Sequence, residues 1–436
     1  MVFLGRSGDQ PLNVFKLLGV FYLRLPTDED DQDQDDTKRF LSTTLRNIHR
    51  LRSLKIVSES LQLGWVLGHF SKSAPELKHL TITNDPEMTE REVRLPNTLF
   101  EGRLPKLTSL ELHHLRSNLR VFTFPSLTRF HFTTETITPV RDLTSFFERC
   151  PLLESVEISL LHPSQPPTTP PRERVRLAAL KELKLDQIAC TTGLLDHLIL
   201  PQCTELTLKG QFTGEALDQW GDFAAQIHPS SIDHLPVTRG ITKGIAVPHS
   251  CILSGPNGNL RFWFFDEIRE DFTAEYFTSL SPISVLDIRE LWVGQRGDTA
   301  GRPWEQTAEG VLGAFKVLTK VEGLTIVRCE TEAFFTALGS TMDDVILLPG
   351  LRRLTIYVGS GDLDVKALVQ CAKTRKEHFR PIEEVDVVLG RELDASFVQE
   401  TESLREFVGQ LSCRVGKAPK LDYNMEDIPG CKVGLR

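Results

Sequence analysis

The sequence predicts an irregular α/β solenoid, a horseshoe with a parallel sheet on its concave face and short helices on its convex side. Three observations predict it. A phrase of the form apolar-x-x-apolar-x-apolar recurs along the 436 residues, at intervals of 20 to 38 residues with one longer step of 80. Proline often stands just ahead of the phrase, as at Pro75, Pro105, Pro125, Pro151, Pro201, Pro349 and Pro381. Several stretches between phrases carry a helical period.

The phrases run in order Leu51/Leu54/Ile56, Leu77/Leu80/Ile82, Leu107/Leu110/Leu112, Leu127/Phe130/Phe132, Leu153/Val156/Ile158, Leu180/Leu183/Leu185 and Cys203/Leu206/Leu208. After the gap come Ile283/Leu286/Ile288, Val321/Leu324/Ile326, Leu351/Leu354/Ile356 and Ile382/Val385/Val387. The last two apolar residues of a phrase are two apart, so a strand sends both to one face. The first anchors the chain as it enters. Proline favours a turn there and removes a donor that the ladder does not need. A single strand of this kind cannot bury its face alone, whereas stacked units bury one continuous core. Helical spacing appears at Leu143, Phe146, Phe147 and Cys150, with Thr138 as cap and Pro139 in the first turn. It appears again at Leu217, Trp220, Phe223 and Ile227 after Thr213, at Phe334, Phe335 and Leu338 after Thr331, and at Leu404, Phe407 and Val408.

The phrases also carry a resemblance. Ser73-Ala74-Pro75-Glu76-Leu77-Lys78-His79-Leu80-Thr81-Ile82 and Cys150-Pro151-Leu152-Leu153-Glu154-Ser155-Val156-Glu157-Ile158 look like leucine-rich repeats. Together with the segment from Leu4 to Leu12, which holds an RSG-x-x-PL phrase, they resemble the F-box and leucine-rich repeat proteins of basidiomycete fungi. That resemblance implies a protein-recognition module, the substrate-receptor part of a cullin-type ubiquitin ligase. A Skp-type adaptor is implied only if an F-box lies upstream, because the RSG-like phrase starts at Arg6 and leaves no room for one. A second departure is the missing ladder residue: only Cys329 supplies the Asn or Cys usually found three residues after the strand. The other readings are an adaptor-independent scaffold and, further off, an enzyme embedded in the 209–282 interval.

Composition narrows the classes. Fifty basic residues face 59 acidic ones, a formal net charge of -9, which argues against a nucleic-acid binder working through a positive field. Eight cysteines contain no CxxC pair, and Cys150, Cys203 and Cys329 read as buried free thiols. Neither the first residues nor Val14 to Leu25 reads as a signal peptide or membrane span. An intracellular location, cytoplasmic or nuclear, is expected, with no nucleic-acid or membrane partner. No nucleotide, hydrolase or zinc-protease signature is present, and no cofactor is assigned. His113 and His131 are placed to be neighbours, but Glu111 is the only further ligand at hand, so no metal is assigned either.

The expected organisation is an N-terminal cap over 1–44 with an acidic loop at 28–36, where seven of nine residues are acids, and a first repeat block over 45–230. An irregular joint follows at 231–282, then a second block at 283–390 and a C-terminal cap and tail at 391–436. The proline-rich stretch 163–171 reads as a stiff, extended break. Asn257-Gly258 signals a turn before a strand from Leu260 to Phe265. The surface expected to meet a protein ligand is the set of strand residues pointing away from the core. In the first block these are Lys55, Thr81, Glu111, His113, Arg129, His131, Glu157, Lys184, Asp186 and Lys209. In the second they are Asp287, Arg289, Arg353, Tyr357 and Asp386.

Overall fold

In the computed structural model the phrase-bearing segments are strands, and the chain divides into two compact units, Met1–Cys203 and Thr204–Arg436. The residues described are 10–18, 28–58, 63–84, 93–134, 138–160, 174–186, 194–211, 235–247, 250–265, 287–294, 308–329, 331–342, 345–358, 363–390 and 395–419.

The first unit is built on seven strands that pair in parallel and in chain order. They are β1 (Leu12–Leu18), β2 (Leu51–Ser58), β3 (His79–Asn84), β4 (Ser109–His113), β5 (Arg129–Thr134), β6 (Ser155–Leu160) and β7 (Glu182–Asp186). The last two apolar residues of each phrase are buried on one face, from Leu54 and Ile56 through to Leu183 and Leu185. The anchors Leu51, Leu77, Leu107, Leu127, Leu153 and Leu180 are buried behind them. Each fully buried side chain of this size contributes about 2 kcal/mol, so the repeated triplet supplies most of what holds the sheet. Helices α1 (Asp28–Arg46), α2 (Leu63–Gly68) and α3 (Val140–Glu148) lie in the connections. The spacing at Leu143, Phe146, Phe147 and Cys150 does bury one stripe of α3 and its end, with the Phe146 ring 4.7 Å from that of Phe130. Pro139, rather than Thr138, is the capping position, and no side chain caps it.

Among the described residues, the main sheet of the second unit has nine strands. They are β8 (Glu205–Gln211), β9 (Lys243–Val247), β10 (Ser250–Gly255), β11 (Gly258–Phe265), β12 (Glu290–Gly294), β13 (Gly323–Val327), β14 (Arg353–Val358), β15 (Glu384–Leu389) and β16 (Gln410–Val415). Their order across the sheet is β8-β11-β10-β9-β12-β13-β14-β15-β16, and β9, β10 and β11 pair antiparallel. The turn foreseen at Asn257-Gly258 makes this reversal, joining β10 to β11. Gly258 is required there. Its φ is 131°, and a β-carbon would lie 2.0 Å from the Thr204 carbonyl oxygen. Helices α4 (Ala308–Val317), α5 (Glu332–Gly339), α6 (Val365–Glu377) and α7 (Ala395–Glu402) complete this unit.

The leucine-rich repeat horseshoe is therefore corrected. Each unit carries an extended, mostly parallel sheet with short helices between strands, and no solenoid curvature is found in it. The physical reason is that the phrase dictates which two side chains of a strand are buried, a requirement common to any sheet with a covered face. Curvature depends on uniform connections, and these differ: six residues of helix in α2, 3₁₀ turns at Leu99–Gly102 and Leu119–Val121, nine residues of helix in α3. The missing ladder residues point the same way.

Other expectations shift as well. The acidic run 28–36 opens α1 instead of forming a loop; acids in a first turn are favoured by the positive end of the helix dipole. Ile283 and Leu286 of the phrase expected at Ile283–Ile288 lie outside the described residues; Ile288 precedes β12, and Ile288, Leu291 and Val293 form a buried triplet of the same spacing. The terminal caps contain strands, β1 and β16, and Leu404 lies in a 3₁₀ turn, Ser403–Glu406. The helix expected around Trp220, the proline-rich stretch 163–171 and the RSG-like phrase from residue 6 to residue 9 lie outside the described residues.

One buried cation joins the helical layer of the second unit. Arg375 of α6 is 0% exposed, and its guanidinium donates to the carbonyls of Leu347 at 2.8 Å, Leu348 at 2.9 Å and Leu338 at 3.4 Å. These carbonyls end α5 and the following turn, where Leu348 has a left-handed φ of 46°. Burial pushes the Arg375 pKa down, but no carboxylate is among its hydrogen-bond partners. Charged hydrogen bonds of this kind contribute about 1.5–3 kcal/mol each. Arg375→Met should therefore lower the urea midpoint of unfolding by an amount corresponding to at least about 3 kcal/mol. A midpoint unchanged from the parent would contradict the role given to this residue.

Candidate functional site

In-register pairing turns the outward residues of the first unit's strands into rows. The central row reads Phe15, Lys55, Thr81, Glu111, His131, Glu157 and Lys184, one residue per strand from β1 to β7. Neighbouring strands lie about 4.8 Å apart, close enough for side chains in the row to meet. Lys55 Nζ sits 5.9 Å from the centre of the Phe15 ring, and Thr81 Oγ1 donates to Glu111 Oε2 at 3.0 Å. His131 Nε2 and Lys184 Nζ each lie 3.9 Å from a Glu157 carboxylate oxygen. Lys184 also pairs with Glu182 at 2.8 Å, and Glu182 accepts from Ser155 Oγ at 2.8 Å.

His113 and Asp186 belong to the next row, with Thr83, Thr133 and Ser159. Arg129 belongs to the row on the other side, where it is exposed. Diagonal placement brings the His113 and His131 rings edge to face, with centroids 4.4 Å apart. Burial pushes the His113 pKa down to about 4, helped by His131 and His114 and opposed by Glu111 and Glu157. A neutral His113 next to a half-exposed His131 is the most chemically distinctive pair on this face. Among the described residues, no three His, Cys, Asp or Glu side chains are placed to hold a metal ion.

The candidates of the second unit do not form a comparable surface. Asp287 and Arg289 precede β12 and are drawn into pairs with Lys320 at 2.5 Å and Glu322 at 3.4 Å. The Lys320 hydrogen bond holds the Asp287 carboxyl below its usual range. Arg353 and Lys243 both approach Glu290, at 3.5 and 3.2 Å. Lys209 lies in register with Trp263. Asp386 receives Arg414 of β16 at 2.9 Å. Tyr357 packs with Trp292 and Ala418 against a small apolar cluster of Ile245, Val247, Ile252 and Val327. The outward face of this sheet is thus partly a second core. Arg414 and the cluster went unread in the sequence. The signal was there, in the unbroken apolar runs Ile245-Ala246-Val247 and Cys251-Ile252-Leu253, which mark strands buried on both faces.

Burial pushes the Cys150 and Cys371 thiols up to about 12, away from the thiolate form. No family model matches the chain, and no curated protein matches it. With the fold corrected as well, the assignment to F-box and leucine-rich repeat proteins is overturned.

The depressed His113 pKa has a definite consequence for stability. As pH falls below about 6.5, the unfolded chain binds a proton that folded His113 refuses until pH approaches about 4. The contribution of this residue is therefore complete above pH 6.5, is lost between those two values, and levels off below pH 4. Urea midpoints measured from pH 7 to pH 4 should fall more steeply for the parent chain than for His113→Gln. Parallel curves would contradict the buried, neutral state of His113.

Proposed function

We propose that the outward polar face of the first unit's sheet recognises a protein partner. The observation that supports this reading is the central row, in which Lys55, Glu111, Glu157 and Lys184 stand at fixed lateral spacing with Phe15 at one end. Phe15 is 63% exposed, and a protruding aromatic beside ordered charges is the composition of an interface centre with a polar surround. The pairs within the row are solvent-accessible and contribute about 1 kcal/mol or less each. A partner can replace them at little cost while the pattern of sign sets which partner fits. Seven strands at about 4.8 Å spacing and about five residues each give a projected face of roughly 500 Å². The ubiquitin-ligase and Skp-type adaptor readings are left out, because the overturned family resemblance was their only support.

The test inverts the row. In the variant Lys55→Glu, Glu111→Lys, Glu157→Lys, Lys184→Glu, positions 157 and 184 still carry opposite charges, the exposed Lys184–Glu182 pair is given up, and the pattern presented outward is reversed. Quantitative mass spectrometry of proteins captured on the tagged full chain should show partners retained by the parent and reduced about 100-fold or more by the variant. Equal recovery of the same proteins by both chains would contradict the proposal.

A further inference from the structure

The C-terminal end of α6 exposes a phenylalanine in a backbone conformation that disfavours it. Beyond the helix, the Phe379 N–H donates to the Lys376 carbonyl at 3.0 Å and the Arg380 N–H to the Arg375 carbonyl at 2.9 Å. This pair of bonds closes the helix as a Schellman motif, whose left-handed residue is usually glycine. Phe379 occupies that position with a φ of 57°, and it is 91% exposed. The β-carbon strains the backbone, and the ring gains nothing from burial. Both effects work against the folded chain, so the residue's use lies in a contact outside it.

The surrounding charge indicates the kind of contact. Lys373, Lys376, His378 and Arg380 are all exposed at this end of the helix, with Glu377 exposed among them and Glu406 exposed beside Lys376. Lys376 reaches back to the Glu406 carbonyl at 2.5 Å and lies over the Phe407 ring. The negative end of the helix dipole favours cations here, which accounts for the lysines but not for the ring. We propose that this tip is a peripheral contact for an anionic lipid surface, with Phe379 entering the interface and Lys373 and Arg380 facing headgroup charge. A ring so fully exposed shares no groove with its own chain. It therefore suits a deformable apolar medium, which a lipid interface provides together with the counter-charge. The contact is a surface one, since no helix among the described residues is long and apolar enough to cross a membrane. It departs from the sequence-level expectation that no membrane partner exists, and it is independent of the polar row on the first unit.

The experiment is co-sedimentation of the full chain with phosphatidylcholine vesicles, with and without phosphatidylserine. The parent should bind only the phosphatidylserine-containing vesicles, and less so as salt is raised. Phe379→Gly should weaken that binding about tenfold while raising Tm by about 2–4 °C, because glycine relieves the left-handed strain. This opposite movement separates lost contact from lost fold. Lys373→Glu with Arg380→Glu should weaken binding by at least about fivefold per cation removed. Absence of vesicle binding overturns the proposal, including the case in which Phe379→Gly instead abolishes capture of a protein. Equal binding to neutral vesicles overturns it too, as does binding unaffected by Phe379→Gly.

Discussion

Each strand from β2 to β7 buries two side chains on one face, and it can do so only while its neighbours stay in register. A slip of one residue would carry Leu110 and Leu112 outward and drive Glu111 and His113 into the core. That one constraint sets the rest. It fixes which polar residues face outward, lines them into rows, and brings His113 and His131 together across a strand boundary. The anchors enforce it at each strand entrance. Leu77, Leu107 and Leu127 are buried where the chain turns in, and the Thr108 and Thr128 hydroxyls donate to the carbonyls of Lys78 and Thr108, each just ahead of the preceding strand.

The two units use the same inward packing and differ in what lies on the opposite side. In the first, the outward positions of the strands are polar and half-exposed, as Thr81, Glu111, His131 and Glu157 are. In the second, the antiparallel segment β9–β11 places Ile245, Val247 and Ile252 on that side, and Tyr357, Trp292 and Ala418 pack there with them. A surface with its own apolar cluster has less to offer a partner than one that is polar and accessible. This contrast is why the recognition proposal rests on the first unit alone.

Much of this was legible in the sequence because alternation is a local property. The buried pairs from Leu54/Ile56 to Leu183/Leu185, the stripe of α3 and the turn at Gly258 all follow from spacings of a few residues. The proximity of His113 and His131 followed as well, since it needs only adjacent strands in register. What could not be read depends on longer-range partners. Arg414 finds Asp386 only once β16 has paired with β15, and Arg375 finds its carbonyls only when α6 packs beside α5. Ile288 also opens a second triplet, with Leu291 and Val293 buried beside it, that spacing alone did not single out. Sheet curvature was not encoded in the phrase at all.

Register can be measured directly. Thr81 and Glu111 are paired positions on β3 and β4 with both side chains outward, whereas Leu110, one residue earlier, faces the core. Paired positions on neighbouring strands fall within the Cα separation of about 4.4–6.8 Å that a disulfide needs. Under mild oxidation, Thr81→Cys with Glu111→Cys should form an intramolecular disulfide, identified by mass spectrometry of the cleaved chain, and Thr81→Cys with Leu110→Cys should not. A cross-link at 81/110 in preference to 81/111 would contradict the register, and with it the polar row on which the proposed recognition surface stands.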